Sequence, residues 1–326
     1  MADGPPTGTL IAGFDAGQTH TSCRLADADS GEVLAEGEGP GVVHLAAPTG
    51  PQRFQEAIRC SLAAALAQLE GSGGDLTAAA VGASGIELGS SSEQRGRALA
   101  QEALALPGER LWVGGDERTA LRGAMGVEGA GILVISGTGT IAIGRNAAGE
   151  EHRCGGWGWL LDQAGSACDI GRDGLSLSLV MADGRAQPTA LQAGLWQALG
   201  LEISDPQAPQ AIKARVVEPG FGARGFAALA PLVAAAAQAG DRQAQTIVER
   251  SGAALARMVA AIAAHLQLEA PPVWTAGGAL DHLLPLHQAF SGALQRQCPT
   301  ARLAAPAGDA CAGALALARD LAIRRH

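Results

Sequence analysis

The chain has 326 residues, which is too long for one ordinary hydrophobic core and suits two domains of common size. Hydrophobic residues make up 47% and charged residues 17%, and this composition excludes a disordered chain. The net charge of −9 comes from 32 acidic and 23 basic residues, of which only Lys213 is a lysine. A nucleic-acid-binding surface is therefore not expected, because it would need clustered cations.

The sequence shows no targeting segment and no cysteine pattern of a disulfide framework or a zinc site. Residues 1–8 show no basic region followed by an apolar segment, and no stretch reaches the ~18 apolar residues of a membrane span. The six cysteines include no Cys-x-x-Cys pair and the seven histidines no His-Glu-x-x-His spacing, so neither a disulfide framework nor a zinc site is indicated. We expect a cytoplasmic protein with free thiols and no membrane partner.

The first part of the chain alternates strand and helix patterns. Three β-prone runs separated by turn residues predict an antiparallel meander at 9–14, 21–26 and 32–36. Apolar residues from Phe54 to Leu69 then follow the i, i+3, i+4 spacing of an amphipathic helix. The remaining pattern predicts strands at 76–83 and 110–113 and helices at 93–106 and 117–125, which completes an N-terminal domain at 1–126.

The second part repeats the opening pattern and then becomes mostly helical. A second meander is predicted at 131–136, 141–144 and 150–154. Helices follow at 166–181, 188–199, 223–239, 241–267, 280–297 and from 309, with strands at 272–275 and near 302. We assign a C-terminal domain to 127–326, with helical insertions and a last helix that is a candidate to pack back on the N-terminal domain. The repeated meanders predict a duplicated α/β architecture with a cleft between its halves.

Two turns rich in glycine and threonine carry the strongest chemical signal, and each follows an apolar strand. Backbone N–H groups at such turns can point at an anion, glycine lets the backbone approach closely, and threonine hydroxyls add donors. A single turn of this kind is typical of an ordinary hairpin, but a matching pair in two repeated halves favours phosphate binding. The candidate nucleotide contacts are Asp15, Gly17, Gln18, Thr19 and Thr21 in the first turn and Gly137, Thr138, Gly139 and Thr140 in the second.

Two further features belong to the same chemistry. Gly277 and Gly278 follow a predicted strand and precede a helix, where a flat adenine could lie against the backbone. Asp116 stands just before a helix, where an aspartate is commonly a helix cap. It could instead accept a proton from a substrate hydroxyl, while Asp15 helps to hold hydrated Mg²⁺ on the phosphates.

Together these segments resemble the sugar kinase, heat-shock-70 and actin superfamily. Within it they resemble the BadF/BadG/BcrA/BcrD-type ATPase family, which includes N-acetylglucosamine and glucosamine kinases. The resemblance is carried in the family's order by Asp15-Ala-Gly-Gln-Thr-His-Thr21, Ile135-Ser-Gly-Thr-Gly-Thr140, Gly155-Gly-Trp-Gly-Trp-Leu-Leu161, Gly165-Ser166, Asp169-Ile-Gly-Arg172 and Ala276-Gly-Gly-Ala279.

The resemblance implies an α/β protein with two ribonuclease-H-like domains, the actin-like ATPase and sugar kinase fold, with Mg-ATP in the cleft between them. It implies that Asp116 is the catalytic base, that Asp15 lies at the metal and that Gly277 and Gly278 flank the adenosine. It further implies a homodimer and a small-molecule amino sugar as substrate, in a pocket that includes Gly156, Trp157, Asp162, Gln163 and His44.

The chain departs from the family pattern at two expected sugar contacts. Gln163 stands where many members have a carboxylate, unless Asp162 takes that place, and Val42 stands where kinases of the group have an asparagine. Such changes should alter the preferred acceptor more than ATP binding, because unpaired buried polar groups discriminate between hydroxyl patterns. Two alternatives remain open: an ATPase that drives a partner protein through an iron–sulfur cluster, and a catalytically inactive sugar or nucleotide sensor.

Overall fold

The computed structural model describes residues 9–69, 74–162 and 164–323. The chain forms two compact units. The first contains the residues up to Glu128 together with those from Pro306 onward, and the second contains Gly129–Ala305. The segment that begins at Pro306 therefore belongs with the first unit, although it follows the second in the sequence.

The described strands are β1 (Leu10–Ala16), β2 (His20–Asp27), β3 (Val33–Pro40), β4 (Leu76–Ala83), β5 (Leu111–Gly114), β6 (Gly131–Ser136), β7 (Thr140–Arg145), β8 (Glu151–Gly155), β9 (Pro272–Ala276) and β10 (Arg302–Leu303). The described α-helices are α1 (Gly50–Leu66), α2 (Ser91–Leu104), α3 (Asp116–Met125), α4 (Ala167–Ala182), α5 (Ala190–Ala198), α6 (Ala208–Arg215), α7 (Gly222–Ala227), α8 (Ala230–Gln238), α9 (Arg242–His265), α10 (Gly278–His282), α11 (Leu284–Gln297) and α12 (Ala310–Ile323). Among these described helices, none has the length and apolar character that crossing a membrane requires.

The two units contain five-stranded sheets of the same topology. The first has the order β3-β2-β1-β4-β5 and the second the corresponding order β8-β7-β6-β9-β10. In each, the first three strands form an antiparallel meander and the last two run parallel to the central strand. The duplicated α/β architecture predicted from the repeated meanders is confirmed.

The central strand β1 is buried on both faces, as expected for a strand covered by helices on each side. Phe14 packs into the core formed with α1 and α2, whereas Ile11 packs against α12. Gly13 lies directly under α12, because a Cβ there would come within 2.6 Å of the backbone nitrogen of Leu315. Since β1 is packed on both faces, its last residues are held in place at the carboxyl end of the strand.

Glycines also seat α3, the helix that begins at Asp116. A Cβ at Gly82 of β4 would lie 2.1 Å from the hydroxyl of Thr119, and one at Gly123 would lie 1.9 Å from the carbonyl oxygen of Asp309. A Cβ at Gly313 of α12 would lie 1.9 Å from the carbonyl oxygen of Thr119. These contacts bring α3 against β4 and α12 at backbone distance and so fix where its first residue stands.

In the second unit, one sheet face packs on a core built mainly from helices. Ile132, Val134, Ala142 and Val273 point into this core, which α4, α5, α8, α9 and α11 complete. The sequence does not predict α6, whose eight residues bury only Ala208 and Ile212.

Two segments that were each predicted to be one continuous helix form two helices in the structure, so these predictions are wrong. The predicted helix at 223–239 is α7 followed by α8, and the predicted helix at 280–297 is α10 followed by α11. Each new helix has a proline in its first turn, Pro231 in α8 and Pro285 in α11. A proline has no N–H to donate to the preceding turn and its ring crowds that turn, so the helix restarts there.

Candidate active site

The turn between β1 and β2 is held by the loop that follows β3. The N–H of Gly17 donates to the carbonyl of His20 (3.1 Å), and the N–H of Val42 donates to the carbonyl of Gly17 (2.9 Å). A Cβ at Gly41 would lie 2.3 Å from the carbonyl oxygen of Gln18, so the loop touches the turn backbone to backbone. Gln18 and Thr19 are exposed on this fixed turn, in keeping with their predicted place at a phosphate.

Asp15 is the half-buried residue of β1 next to this turn, and the pKa of its carboxyl is shifted. Burial, the negative charges of Asp116 and Asp309, and the opposing effect of His20 together raise the pKa of Asp15 to about 6; burial contributes most. The structure thus brings the two predicted functional carboxylates, Asp15 and Asp116, close enough to repel each other. A bound cation would relieve that repulsion.

A nearby arginine does not neutralise Asp15. Arg24 lines the same cavity of about 400 Å³. Its guanidinium instead donates two hydrogen bonds to Asp309 (2.8 and 2.9 Å) and one to Glu36 (2.7 Å). These partners raise the pKa of Arg24 and hold its charge away from Asp15.

Asp116 is the first residue of α3, and Gly115 before it provides no side-chain cap. Burial raises the pKa of Asp116, while hydrogen bonds from the backbone N–H groups of Asp116 and Glu117 and from the Glu117 side chain act in the opposite direction. The arrangement holds a carboxyl ready to take up a proton. Sequence reasoning missed Glu117, which is buried beside Asp116; its signal was a second acidic residue in the first turn of a helix.

The second glycine turn, between β6 and β7, is braced by the start of α4. The N–H of Gly137 donates to the carbonyl of Gly139 (2.9 Å), and the N–H of Ala167 donates to the carbonyl of Gly137 (2.9 Å). Ser136 donates its hydroxyl proton to the carbonyl of Gly165 (2.7 Å). Ser166 caps α4 by accepting from the N–H of Asp169 (3.0 Å). The capping role of Ser166 was not predicted, although the Ser-x-x-Asp spacing signals it.

The predicted adenosine turn lies against the second phosphate turn. Gly277 has φ +96°, and a Cβ there would come within 2.6 Å of the carbonyl oxygen of Ser136. A Cβ at Gly137 would stand 4.0 Å from the backbone nitrogen of Gly278. The ends of β6 and β9 therefore meet at backbone distance, and only glycine satisfies both the conformation and the contact at Gly277.

The threonines of the two turns differ in how exposed their side chains are. Thr19 and Thr138 are exposed, whereas Thr21 and Thr140 are buried at the start of β2 and β7. Within the part of the chain that the structure describes, the hydroxyls of Thr21 and Thr140 have no hydrogen-bond partner. Two equivalent strands thus each begin with an unpaired buried hydroxyl, which is costly in a folded protein.

Replacing either hydroxyl by a methyl group should stabilise the ligand-free protein. Thr21→Val and Thr140→Val are each expected to raise the free energy of unfolding by about 1 kcal/mol, because valine keeps the shape and removes an unpaired polar atom. Denaturant unfolding measures the change. Thr119→Val is the matched control: Thr119 is also buried, but its hydroxyl donates to the carbonyl of Asp116 (2.9 Å), so this variant should lose stability. Destabilisation by Thr21→Val to the same extent would contradict the assignment.

The predicted sugar residues of the second unit lie on the loop after β8. Gly156 has φ +77°, and the ring of Trp157 is 59% exposed, with the Arg153 guanidinium 4.9 Å from its centroid. Asp162 is half-buried, and its N–H donates to the carbonyl of Gly158 (3.0 Å). Gln163, the other predicted contact, lies outside the described residues. An exposed aromatic face and a carboxylate are therefore present on one short loop.

Two residues that follow β3 differ in their exposure and in their ability to bind a polar ligand. Val42, at the position of the family's asparagine, is buried in the core of the first unit and has no polar group to offer a sugar. His44 is exposed, its Nδ1 accepts the N–H of Ala46 (3.1 Å), and its ring lies beside Gly85. Because Nδ1 is occupied by this bond, Nε2 is the ring nitrogen that can contact a ligand.

These features define the class of the molecule. Two sheets of identical strand order, each with a glycine turn after its central strand, form the α/β fold shared by sugar kinases and actin-like ATPases. The chain belongs to the BadF/BadG/BcrA/BcrD ATPase family, which matches residues 12–317.

Relatives match the chain over nearly its whole length. An N-acetylmuramic acid/N-acetylglucosamine kinase from Clostridium acetobutylicum is 26% identical over 316 residues, which cover 95% of this chain and 98% of the relative. A crystal structure from Chromobacterium violaceum, assigned as an N-acetylglucosamine kinase, has a TM-score of 0.72 at 28% identity and covers 96% of this chain and 100% of its own. A ROK family glucokinase from Streptomyces griseus, solved with glucose and AMPPNP, has a TM-score of 0.60 at 17% identity over 97% of this chain and 99% of its own, and so shows the fold alone.

Proposed function

We propose that the protein is a kinase that transfers the γ-phosphoryl group of ATP to a hydroxyl of an amino sugar of the N-acetylglucosamine or glucosamine type. The observation that carries the proposal is the carboxylate pair of the first unit, in which burial and the nearby charge of Asp116 raise the pKa of Asp15. Phosphoryl transfer to an alcohol uses one carboxylate for the hydroxyl proton and another for the metal. The kinase names of the full-length relatives support the same activity.

Asp116 and the two glycine turns have different roles in the proposed phosphoryl transfer. The carboxylate of Asp116 takes the proton of the attacking sugar hydroxyl as its oxygen bonds to the γ-phosphorus. The bond from that phosphorus to the bridging oxygen breaks, and ADP leaves. The raised pKa of Asp116 makes it a better proton acceptor than an exposed aspartate. Backbone N–H groups of the two glycine turns would stabilise the phosphate charge.

The residues present fit magnesium bound together with ATP. Among the described residues, no group of three or more His, Cys, Asp or Glu side chains is arranged to hold a metal ion. Mg²⁺ does not need such a cage, because it commonly takes one or two carboxylates and completes its shell with water and substrate phosphates. Asp15 would hold it, and the ion would neutralise charge on the phosphates.

The acceptor is an N-acetylated or free amino sugar, held on the loop that contains Trp157. The exposed face of this ring suits the apolar face of a sugar, and Asp162 supplies an acceptor for a sugar hydroxyl. We propose that Gly156 and Gln163 also contribute to this pocket and that His44 is a further sugar contact. Because Val42 replaces a polar contact, the hydroxyl pattern that the protein prefers should differ from that of family members with an asparagine at this position.

A coupled ADP-release screen tests the proposal. It should compare glucosamine, N-acetylglucosamine, N-acetylmuramic acid, N-acetylmannosamine and glucose at saturating Mg-ATP. Turnover with at least one amino sugar well above the rate with water alone is expected. Equal rates with and without every acceptor would overturn the kinase proposal and favour a sensor or an ATPase that drives a partner protein. An anaerobic absorbance spectrum then separates these two, since the second requires an iron–sulfur cluster.

A further inference from the structure

A second buried carboxyl group stands beside Asp116. Glu117 is 6% exposed, although a glutamate in the first turn of a helix is usually solvated. Its side chain folds back over Gly115: a Cβ on Gly115 would lie 2.0 Å from Oε2 and 2.5 Å from Oε1 of Glu117. The glycine before the helix therefore leaves the space that the Glu117 carboxyl occupies.

Contacts on two sides fix this carboxyl. On one side the Glu117 side chain hydrogen-bonds to the carboxyl of Asp116. On the other, the Nε of Arg118 lies 3.7 Å from Oε1 of Glu117, and the side chain of Arg118 is only 16% exposed. A hydrogen bond between two carboxyl groups requires one proton between them, so the pair has a defined geometry and not a set of freely rotating rotamers.

We propose that Glu117 is a positioning residue that holds the carboxylate of Asp116 in the orientation needed to receive the substrate proton. The proposal rests on the proposed function, in which Asp116 is the base. Two backbone N–H groups and the Glu117 side chain hydrogen-bond to Asp116, and the Glu117 carboxyl itself lies over Gly115. Without Glu117 the Asp116 side chain loses one of three restraints, and loss of orientation slows a step that depends on alignment.

A purely structural role is the competing explanation. Acidic residues in the first turn stabilise a helix through its dipole, and a glutamate with that role alone would affect stability but not turnover. Glu93 provides the matched control: it lies in the first turn of α2, accepts the N–H of Gly89 (2.6 Å) and has an arginine partner in Arg97 (4.0 Å).

Steady-state kinetics of Glu117→Ala, Glu117→Gln and Glu93→Ala separate the two explanations. Glu117→Ala should lower kcat at least about tenfold, equivalent to about 1.4 kcal/mol, with KM for ATP and sugar within about twofold. Glutamine keeps the shape and an N–H donor for Asp116, so Glu117→Gln should recover most of the lost kcat. Glu93→Ala should lose stability and keep its kcat per folded molecule.

Gly115→Ala is a second way to remove the contact between Glu117 and Asp116, because it displaces the Glu117 carboxyl. The backbone of Gly115 has φ −66°, which alanine tolerates, so the added methyl acts by pushing the Glu117 carboxyl aside. Gly115→Ala should lower kcat like Glu117→Ala, and the double variant should be no worse than either single one. Losses that multiply would overturn the proposal, and so would a kcat of Glu117→Ala within about twofold of wild type. If Asp116→Asn itself keeps its turnover, the base assignment fails instead, whatever Glu117 does.

Discussion

Asp116→Asn is expected to lower kcat for sugar phosphorylation by about 10²- to 10⁴-fold, the usual contribution of a positioned general base. Asparagine has the size of aspartate but cannot accept the hydroxyl proton. Affinity for Mg-ATP should change little, since in the proposed mechanism Asp116 contacts the acceptor and not the nucleotide. Steady-state turnover and nucleotide titration by calorimetry measure the two quantities separately.

A helix-capping aspartate supplies the control for that experiment. Asp241 precedes α9 and accepts the N–H groups of Gln243 (2.9 Å) and Ala244 (3.1 Å), as a cap does. Asp241→Asn should keep its turnover. If Asp116→Asn behaved in the same way, Asp116 would be a cap as well, and the carboxylate proposed as base would have to be sought elsewhere.

Asp15→Asn is expected to stabilise the ligand-free protein near pH 7.5 and to abolish Mg-dependent turnover. The pKa of Asp15 rises from 3.8 to about 6 on folding, so the folded state disfavours the ionised form. Stability contributed by the protonated form is complete below about pH 4 and is lost as the pH rises to about 6. At neutral pH the cost of the charged carboxylate is up to about 3 kcal/mol, and removal of the charge removes that cost.

The pH dependence of unfolding distinguishes this effect from a packing change. The stability gain of Asp15→Asn should be present at pH 7.5 and disappear at about pH 4, where the wild-type carboxyl is already protonated. Mg-ATP should stabilise the wild type more than the variant, because the cation binds the ionised carboxylate. An equal gain at both pH values would contradict an electrostatic origin, and retained turnover would remove Asp15 from the metal site.

The strands and both glycine turns could be predicted from the sequence because their causes are local. In β6, for example, an unbroken apolar run ends at the small residues after Ser136, and the structure begins and ends the strand where the pattern predicts. The two helix breaks also have local signals, Pro231 and Pro285, which the predictions of continuous helices did not take into account.

Features that depend on tertiary packing could not be predicted in this way. The motif treats Thr19 and Thr21 alike, and only the packed sheet shows that one hydroxyl is exposed and the other buried. From the sequence, Glu117 is an ordinary solvated glutamate in the first turn of a helix. Only the structure shows that its carboxyl occupies the space left by the missing side chain of Gly115. The raised pKa of Asp15 likewise depends first on burial and then on the charges of Asp116 and Asp309, which are distant from it in the sequence.

The close seating of α12 on β1 bears on how the protein is made. One sheet face of the first unit is covered by a helix at 310–323, and the intervening residues 129–305 form the second unit. During translation the first unit must therefore wait, with Ile11 and its apolar neighbours uncovered, until the whole second unit has left the ribosome. The contact at Gly13 joins segments separated by about 300 positions, a loop closure that topology makes slow. Chaperones would be most needed during the period in which this sheet face is still uncovered.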